Sequence, residues 1–310
     1  MTAASDTAGA PAQSQSVANM APTRPFYWSL RRELWEHRAI WIAPLVVAGL
    51  VLFGFLIRLP HFPQMLRKID TMPLDAQQLV FGTTLAAGAA AITIAGVIVA
   101  VFYCLGCLSN ERRDRSILFW KSLPVSDLTA VLAKVCVPFI VLPIVIFAVA
   151  IVTQLIILGA GSAVVIVSGL DASPLWTHWP FLKMAIFFVY VLVVMTLWYA
   201  PIYGWLMLVS SWAQRMTFLW AVLAPLGIAI VEAIAFQTWR FGSLIGYRLD
   251  GFEKLAFTLP QNKSQYAHLD PLQLLDPARF FSDIGLWVGI AFAVVFIAGA
   301  VWLRRGRELV

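Results

Sequence analysis

Charged residues are scarce in this chain. Lys, Arg, Asp and Glu make up 12% of 310 residues, while 61% are hydrophobic and the mean hydropathy is +0.83. A soluble domain of this size keeps a largely polar exterior, so that class is excluded and the multi-span helical membrane class remains. Cysteine is rare too: Cys104, Cys107 and Cys136 fall inside or at the edge of apolar runs. Cys104 and Cys107 have redox or zinc spacing, but no second pair or histidine stands nearby in sequence to complete a tetrahedral site, and apolar packing is the expected role. His37, His61, His178 and His268 map to flanks or loops, which argues against haem ligation and leaves Gly159-Ala160-Gly161-Ser162, a faint serine elbow, without a base. Neither a Gly-x-x-x-x-Gly-Lys-Ser/Thr phosphate loop nor a His-Glu-x-x-His pair occurs. No catalytic residue, cofactor site or metal site is therefore expected in the chain. Residues 1–22 lack the basic and apolar regions of a cleaved leader and are expected to form a disordered cytoplasmic tail.

Long apolar runs fill the space that charge leaves empty. Runs of about twenty residues or more are long enough to cross a bilayer. They predict six spans: Ala39 to Ile57, Leu79 to Leu108, Val131 to Leu158, Phe181 to Val209, Thr217 to Phe236 and Ile284 to Leu303. Pro201 is expected to kink the fourth, and Pro225 with Gly227 to interrupt the fifth. Thirteen Trp suit the two headgroup belts. The net charge of +6 reads as topology and lipid contact, not nucleic-acid binding, because the cations cluster at span ends.

Those cations set the orientation. Arg24, Arg31, Arg32, Arg38, Arg112, Arg113, Arg115, Lys121, Lys134, Arg215, Arg304, Arg305 and Arg307 flank one side, against Arg58, Arg67, Lys68 and Lys183 on the other. A bias of thirteen against four over an even number of spans places both termini in the cytoplasm. Before the first span, Phe26 to Arg38 reads as an amphipathic helix. Tyr27, Leu30 and Leu34, with Trp28 and Trp35, lie to one side, and Arg31, Arg32, Glu33 and Glu36 to the other. Such a helix lies in the membrane interface; simple extension of the first span is the alternative. The 47 residues from 237 to 283 form an outer insertion that either dips toward the membrane or makes a lid of short helices, with Asp276-Pro277 turning into a final helix. The fold class expected is thus all-α, with six transmembrane helices, an amphipathic amino-terminal interfacial helix and an extracytoplasmic insertion between helices five and six.

Two places carry candidate chemistry. Glu232 reads as an ionisable residue well inside a span, where a carboxylate must face protein or water; it either lines a path or binds a proton, or makes a neutral helix–helix link. The segment 109–127 between the second and third spans is charged and aromatic. Glu111, Arg112, Arg113, Asp114 and Arg115 give it a mixed-charge face, and Ile117, Leu118, Phe119, Trp120 and Leu123 offer apolar anchors for a partner. Pro124 ends the element, Ser126 caps the next helix and Asp127 sits in its first turn. An ordinary basic loop with an interfacial aromatic is the alternative.

An amphipathic entry helix, six spans, the turn ERRDRSILFWKSLPVSD and a long outer insertion resemble the type-2 ABC (ATP-binding cassette) exporter permeases, from about Arg24 to Leu303. The most specific match is Glu-Arg-x-x-x-Ser/Thr-Ile/Leu-x-x-x-x-x-Leu-Pro-Val/Ile-Ser, met here by Glu111, Arg112, Ser116, Ile117, Leu123, Pro124, Val125 and Ser126. The run Trp198 to Trp205 and Ser210-Ser211-Trp212-Ala213 is also family-like. The resemblance implies a permease domain over 23–310 in the bacterial inner membrane, paired with a second permease copy as a homo- or heterodimer. Two copies of a separate ATPase would hold ATP and Mg, and 109–127 would be their coupling helix. It further implies a substrate path along the dimer axis, for which Thr83, Thr84 and Thr93 of the second span are candidates, with Gly88 and Gly96. Apolar spans favour an amphipathic or hydrophobic cargo such as a peptide antibiotic, drug or lipid. A membrane anchoring or assembly subunit that moves nothing is the competing expectation.

Overall fold

Backbone amides in an apolar run find no water to bond, so they satisfy one another along helices. The computed structural model describes residues 23–113, 126–177, 181–213, 215–258 and 271–306, and these form helices joined by short turns. Among the described residues the only ladder contact is an isolated bridge between Phe257 and Leu275. Six helices are long and apolar enough to cross a membrane: Ala39–Ile69, Gly82–Glu111, Asp127–Val167, Phe181–Trp198, Thr217–Phe236 and Ile284–Arg305. Their lengths differ. The third, at 41 residues, is about 60 Å long at 1.5 Å per residue, roughly twice a hydrocarbon core of about 30 Å.

The third span begins earlier than its apolar run because Ser126 caps it, its Oγ accepting from Thr129 N at 3.2 Å. Asp127 in the first turn faces the favourable end of the helix dipole. A widened turn at Val137–Val141, with Pro138 inside it, then shifts the register before the helix resumes at Leu142. The fourth span breaks at Tyr199, two residues before Pro201, and continues as Ala200–Trp212. That continuation packs closely along the sixth span. A Cβ on Gly204 would stand 3.1 Å from both Cα and O of Ala293, so the missing side chain sets the distance between the two helices.

The fifth span does not follow expectation. Pro225 was expected to interrupt it, yet Thr217–Phe236 is one helix with Pro225 inside. A proline leaves the carbonyl four residues back without its amide donor. Here that carbonyl, Ala221 O, accepts from the indole Nε1 of Trp205 at 3.1 Å. The fourth span supplies what the fifth lacks, and the helix runs on.

Residues following the fifth span make short helices at Arg240–Asp250, Phe252–Ala256 and Pro277–Ser282, the last capped by Asp276. They attach to the fourth span through aromatic rings. Trp198, wholly buried, meets Tyr247 and Phe280 at 5.4 and 6.3 Å between centroids and donates to Arg248 O at 2.8 Å. The Arg248 guanidinium lies 4.3 Å over the Trp198 ring and donates to Gly285 O of the sixth span at 2.9 Å. Burial pulls the Arg248 pKa below the usual guanidinium range, with Tyr247 and Asp283 acting the other way. The fourth and sixth spans therefore carry this short-helix unit at one end.

Candidate functional site

The other end of the same two spans holds a cluster of buried charge. The entry helix, Thr23–Glu36, lies against the start of the third span, with Leu30 and Leu34 packed on the core. Glu33 falls between those leucines on the same face. It is 3% exposed, and its Oε1 accepts from Lys134 Nζ at 2.6 Å. Lys134, 2% exposed, lies in the last turn before the widened segment of the third span. Its ammonium also stands 3.0 Å from Glu111 Oε1. Tyr103 of the second span donates to Glu33 Oε2 at 2.9 Å, and its ring meets His37 edge-on.

Glu111 extends the cluster to the sixth span. Its Oε2 takes Arg304 Nη1 at 3.1 Å, while Arg304 Nε reaches Asp127 Oδ1 at 3.0 Å. Arg32 of the entry helix approaches Glu111 at 3.5 Å and pairs with Glu36 at 3.2 Å. The fourth span joins through Ser210, whose Oγ accepts from Leu108 N and Ser109 N at 3.2 and 3.1 Å, holding the turn where the second span ends.

Burying one unpaired ion costs several kcal/mol, which only close and well-directed partners offset. Each buried carboxylate here has a cation within 3.1 Å, and Lys134 has two carboxylates. The result is a clasp. Glu111 lies just before the segment 114–125 and Asp127 just after it, and Arg304 grips both. Lys134 ties the same point to the entry helix. One ion-paired cluster thus joins the entry helix, the end of the second span, the start of the third and the end of the sixth.

Several sequence candidates occupy different places from those their pattern suggested. Glu111 is buried within the clasp, 6% exposed, so it is not part of an outward mixed-charge face. Asp114, Arg115, Ile117, Leu118, Phe119, Trp120 and Leu123 lie outside the described residues, as do the side chains of Arg112 and Arg113. In the entry helix Glu33 faces inward with Leu30 and Leu34, while Tyr27, Trp28 and Trp35 are exposed; the two sides expected from sequence are thus divided differently.

Glu232 is not deep in its span. It sits one turn from the end at Phe236, where its carboxylate accepts from Thr238 Oγ1 at 2.9 Å, Arg240 N at 2.9 Å and Phe241 N at 2.7 Å. It serves as a capping group, delivered from the preceding helix, for the first amides of Arg240–Asp250. Gln237 makes the turn between them with a positive φ of 53°.

The three threonines are not brought together. Thr83 and Thr84 are exposed and bond back to Val80 O. Thr93 is buried, donates to Ala89 O at 2.8 Å and borders a small apolar cavity with Gly96, Ile146, Met195 and Tyr203. Gly88 and Gly96 let the second span approach its neighbours: a Cβ at Gly88 would stand 3.2 Å from Val51, and one at Gly96 would collide with Ile146. Among the described residues no group of His, Cys, Asp and Glu is arranged to hold a metal ion.

Comparison with family models, with curated proteins and with solved structures finds no match to this chain.

Proposed function

We propose that this protein is the membrane permease subunit of an ATP-driven ABC exporter, moving an amphipathic or hydrophobic cargo with energy from a separate ATPase. The observation that carries this reading is the clasp. A segment of the family-like pattern, charged and aromatic in sequence, is flanked by Glu111 and Asp127, both paired with Arg304 of the sixth span, and Glu111 also shares Lys134 with Glu33 of the entry helix. A static anchor needs only a surface to bind. A transmission element needs attachment to the helices it moves, and the ion pairs of the flanking residues Glu111 and Asp127 support that role.

The mechanism follows from two-state logic. An ATPase pair that closes on ATP binds one arrangement of the permease better than the other, and the difference in binding drives the helices between them. In that scheme the segment 109–127 seats in the ATPase, a second permease copy completes the path, and both termini face the cytoplasm across the inner membrane.

The test is purification of the permease from its native membrane with whatever ATPase accompanies it. An ATPase subunit whose ATP turnover rises in the presence of the permease, and whose association falls when Arg112 and Arg113 are both changed to Glu, supports the reading. An ATPase that binds but whose turnover ignores both permease and cargo points to an anchoring subunit. Unchanged association of the double variant overturns the coupling assignment.

A further inference from the structure

The entry helix has a second face, and it is built differently from an ordinary amphipathic surface. Leu30, Glu33 and Leu34 are committed to the bundle, and the pairing of Glu33 with buried Lys134 fixes the helix against rolling. What turns outward is a stripe of alternating rings and cations: Trp28, Arg31, Trp35 and Arg38, spaced three, four and three apart. Trp28 is 55% exposed and Trp35 72%. The Arg31 guanidinium carbon lies 5.2 Å from the centroid of each indole, so the cation is held between two rings.

The charges near this stripe are uneven. Glu36 is the carboxylate beside it, and Arg32 already pairs with Glu36 at 3.2 Å. Among the described residues no carboxylate pairs with Arg31 or Arg38. Two residues, His37 and Arg38, separate the end of the helix from the first membrane-crossing helix at Ala39, so the stripe ends at the membrane plane. Exposed tryptophans belong at headgroup depth, where a ring can be apolar on one side and wet on the other.

We infer that Trp28, Arg31, Trp35 and Arg38 form a binding site for the phosphate of an anionic phospholipid. The guanidinium of Arg31, planar and oriented by its two rings, is the group that contacts the phosphate oxygens. Arg38 adds a second positive charge at the membrane end, and the indoles lie against the glycerol and upper acyl chain. A headgroup site here requires no ATPase, so it stands or falls separately from the transport reading.

The full-length protein in a non-ionic detergent is mixed with phosphatidylglycerol or phosphatidylcholine of identical acyl chains, and retained lipid is counted by native mass spectrometry. Wild type retains phosphatidylglycerol in preference. Arg31→Gln lowers that retention about fivefold, the effect of removing one cation near an anionic headgroup, and lowers phosphatidylcholine retention less, because choline offsets the charge of its phosphate. Arg67→Gln, which removes an exposed cation near the far end of the first span, leaves both unchanged. Arg31→Lys keeps the charge without the planar fork, and retains phosphatidylglycerol at a level between wild type and Arg31→Gln. Equal loss in Arg67→Gln would show bulk charge at work and overturn the proposal. Unchanged retention in Arg31→Gln would also overturn it, leaving the face to a soluble protein or a second copy of the chain.

Discussion

Arg304 and Glu111 meet at 3.1 Å although 193 positions separate them in sequence. Because the same guanidinium reaches Asp127 at 3.0 Å, one side chain of the sixth span spans the base of the segment between the second and third. Arg304→Gln removes a charge shared by two carboxylates. A loss of about 3 kcal/mol in unfolding free energy is expected, the low end for breaking a buried pair, since Asp127 keeps some contact with water. Thermal unfolding in detergent measures it. Arg304→Lys replaces two separately placed donors, Nε and Nη1, by a single point charge without the planar fork, and should recover only part of the loss.

Lys134 makes a sharper case. Lys134→Met leaves Glu33 and Glu111 facing each other in a buried site, and the expected cost is about 3–5 kcal/mol. Combining it with Glu33→Gln removes the charge left without a Lys or Arg partner, since Glu111 keeps Arg304. The double variant should therefore be more stable than Lys134→Met alone. If the two effects simply add, Glu33 and Lys134 are not energetically coupled, and the clasp does not act as a unit.

The pairing of Trp205 with Pro225 through Ala221 O gives a cycle of its own. Trp205→Phe removes the donor and leaves a buried carbonyl unpaired, a cost of about 1–3 kcal/mol beyond the change in ring size. Pro225→Ala restores an amide four residues along, which can take over that carbonyl. The penalty for Trp205→Phe should shrink in the Pro225→Ala background, as read by a double-mutant cycle on unfolding midpoints.

Glu232→Ala strips the cap from Arg240–Asp250. A local loss of stability, confined to the start of that helix, is expected. Hydrogen exchange should show it as faster exchange of the Arg240 and Phe241 amides, with the core of the fifth span unaffected. Glu232→Gln keeps one oxygen acceptor and should lie between. A change in the pH dependence of transport without a change in those amides would instead assign Glu232 to the cargo path.

How far the structure could be read from sequence varies by scale. Apolar run length located all six spans, because a helix that crosses lipid must be long and continuously apolar. Partners across spans were not legible. Lys134 was counted with the basic flanks, though it follows Val131 inside an apolar run; a cation there already required a buried counter-charge. Glu33 sits four residues from His37 and one from Leu34, on the face the leucines define, and that position was the matching signal. Pro225 was expected to break its helix because the compensating donor belongs to a different span, twenty positions earlier. The end of the fifth span at Phe236 was legible, but the partners of Glu232 were not: the left-handed turn at Gln237 brings the Arg240 and Phe241 amides back onto its carboxylate, a conformation that side-chain hydropathy does not encode.

Gly204 has a mechanical corollary. With no side chain between it and Ala293, the helix Ala200–Trp212 and the sixth helix cannot separate without opening a void, so a tilt of one would carry the other with it as a rod. Its two tips are Arg304 and the Trp198–Arg248 stack near Gly285. Tilting a rod of about 30 Å by about 10° carries its far tip roughly 5 Å, close to one helical turn.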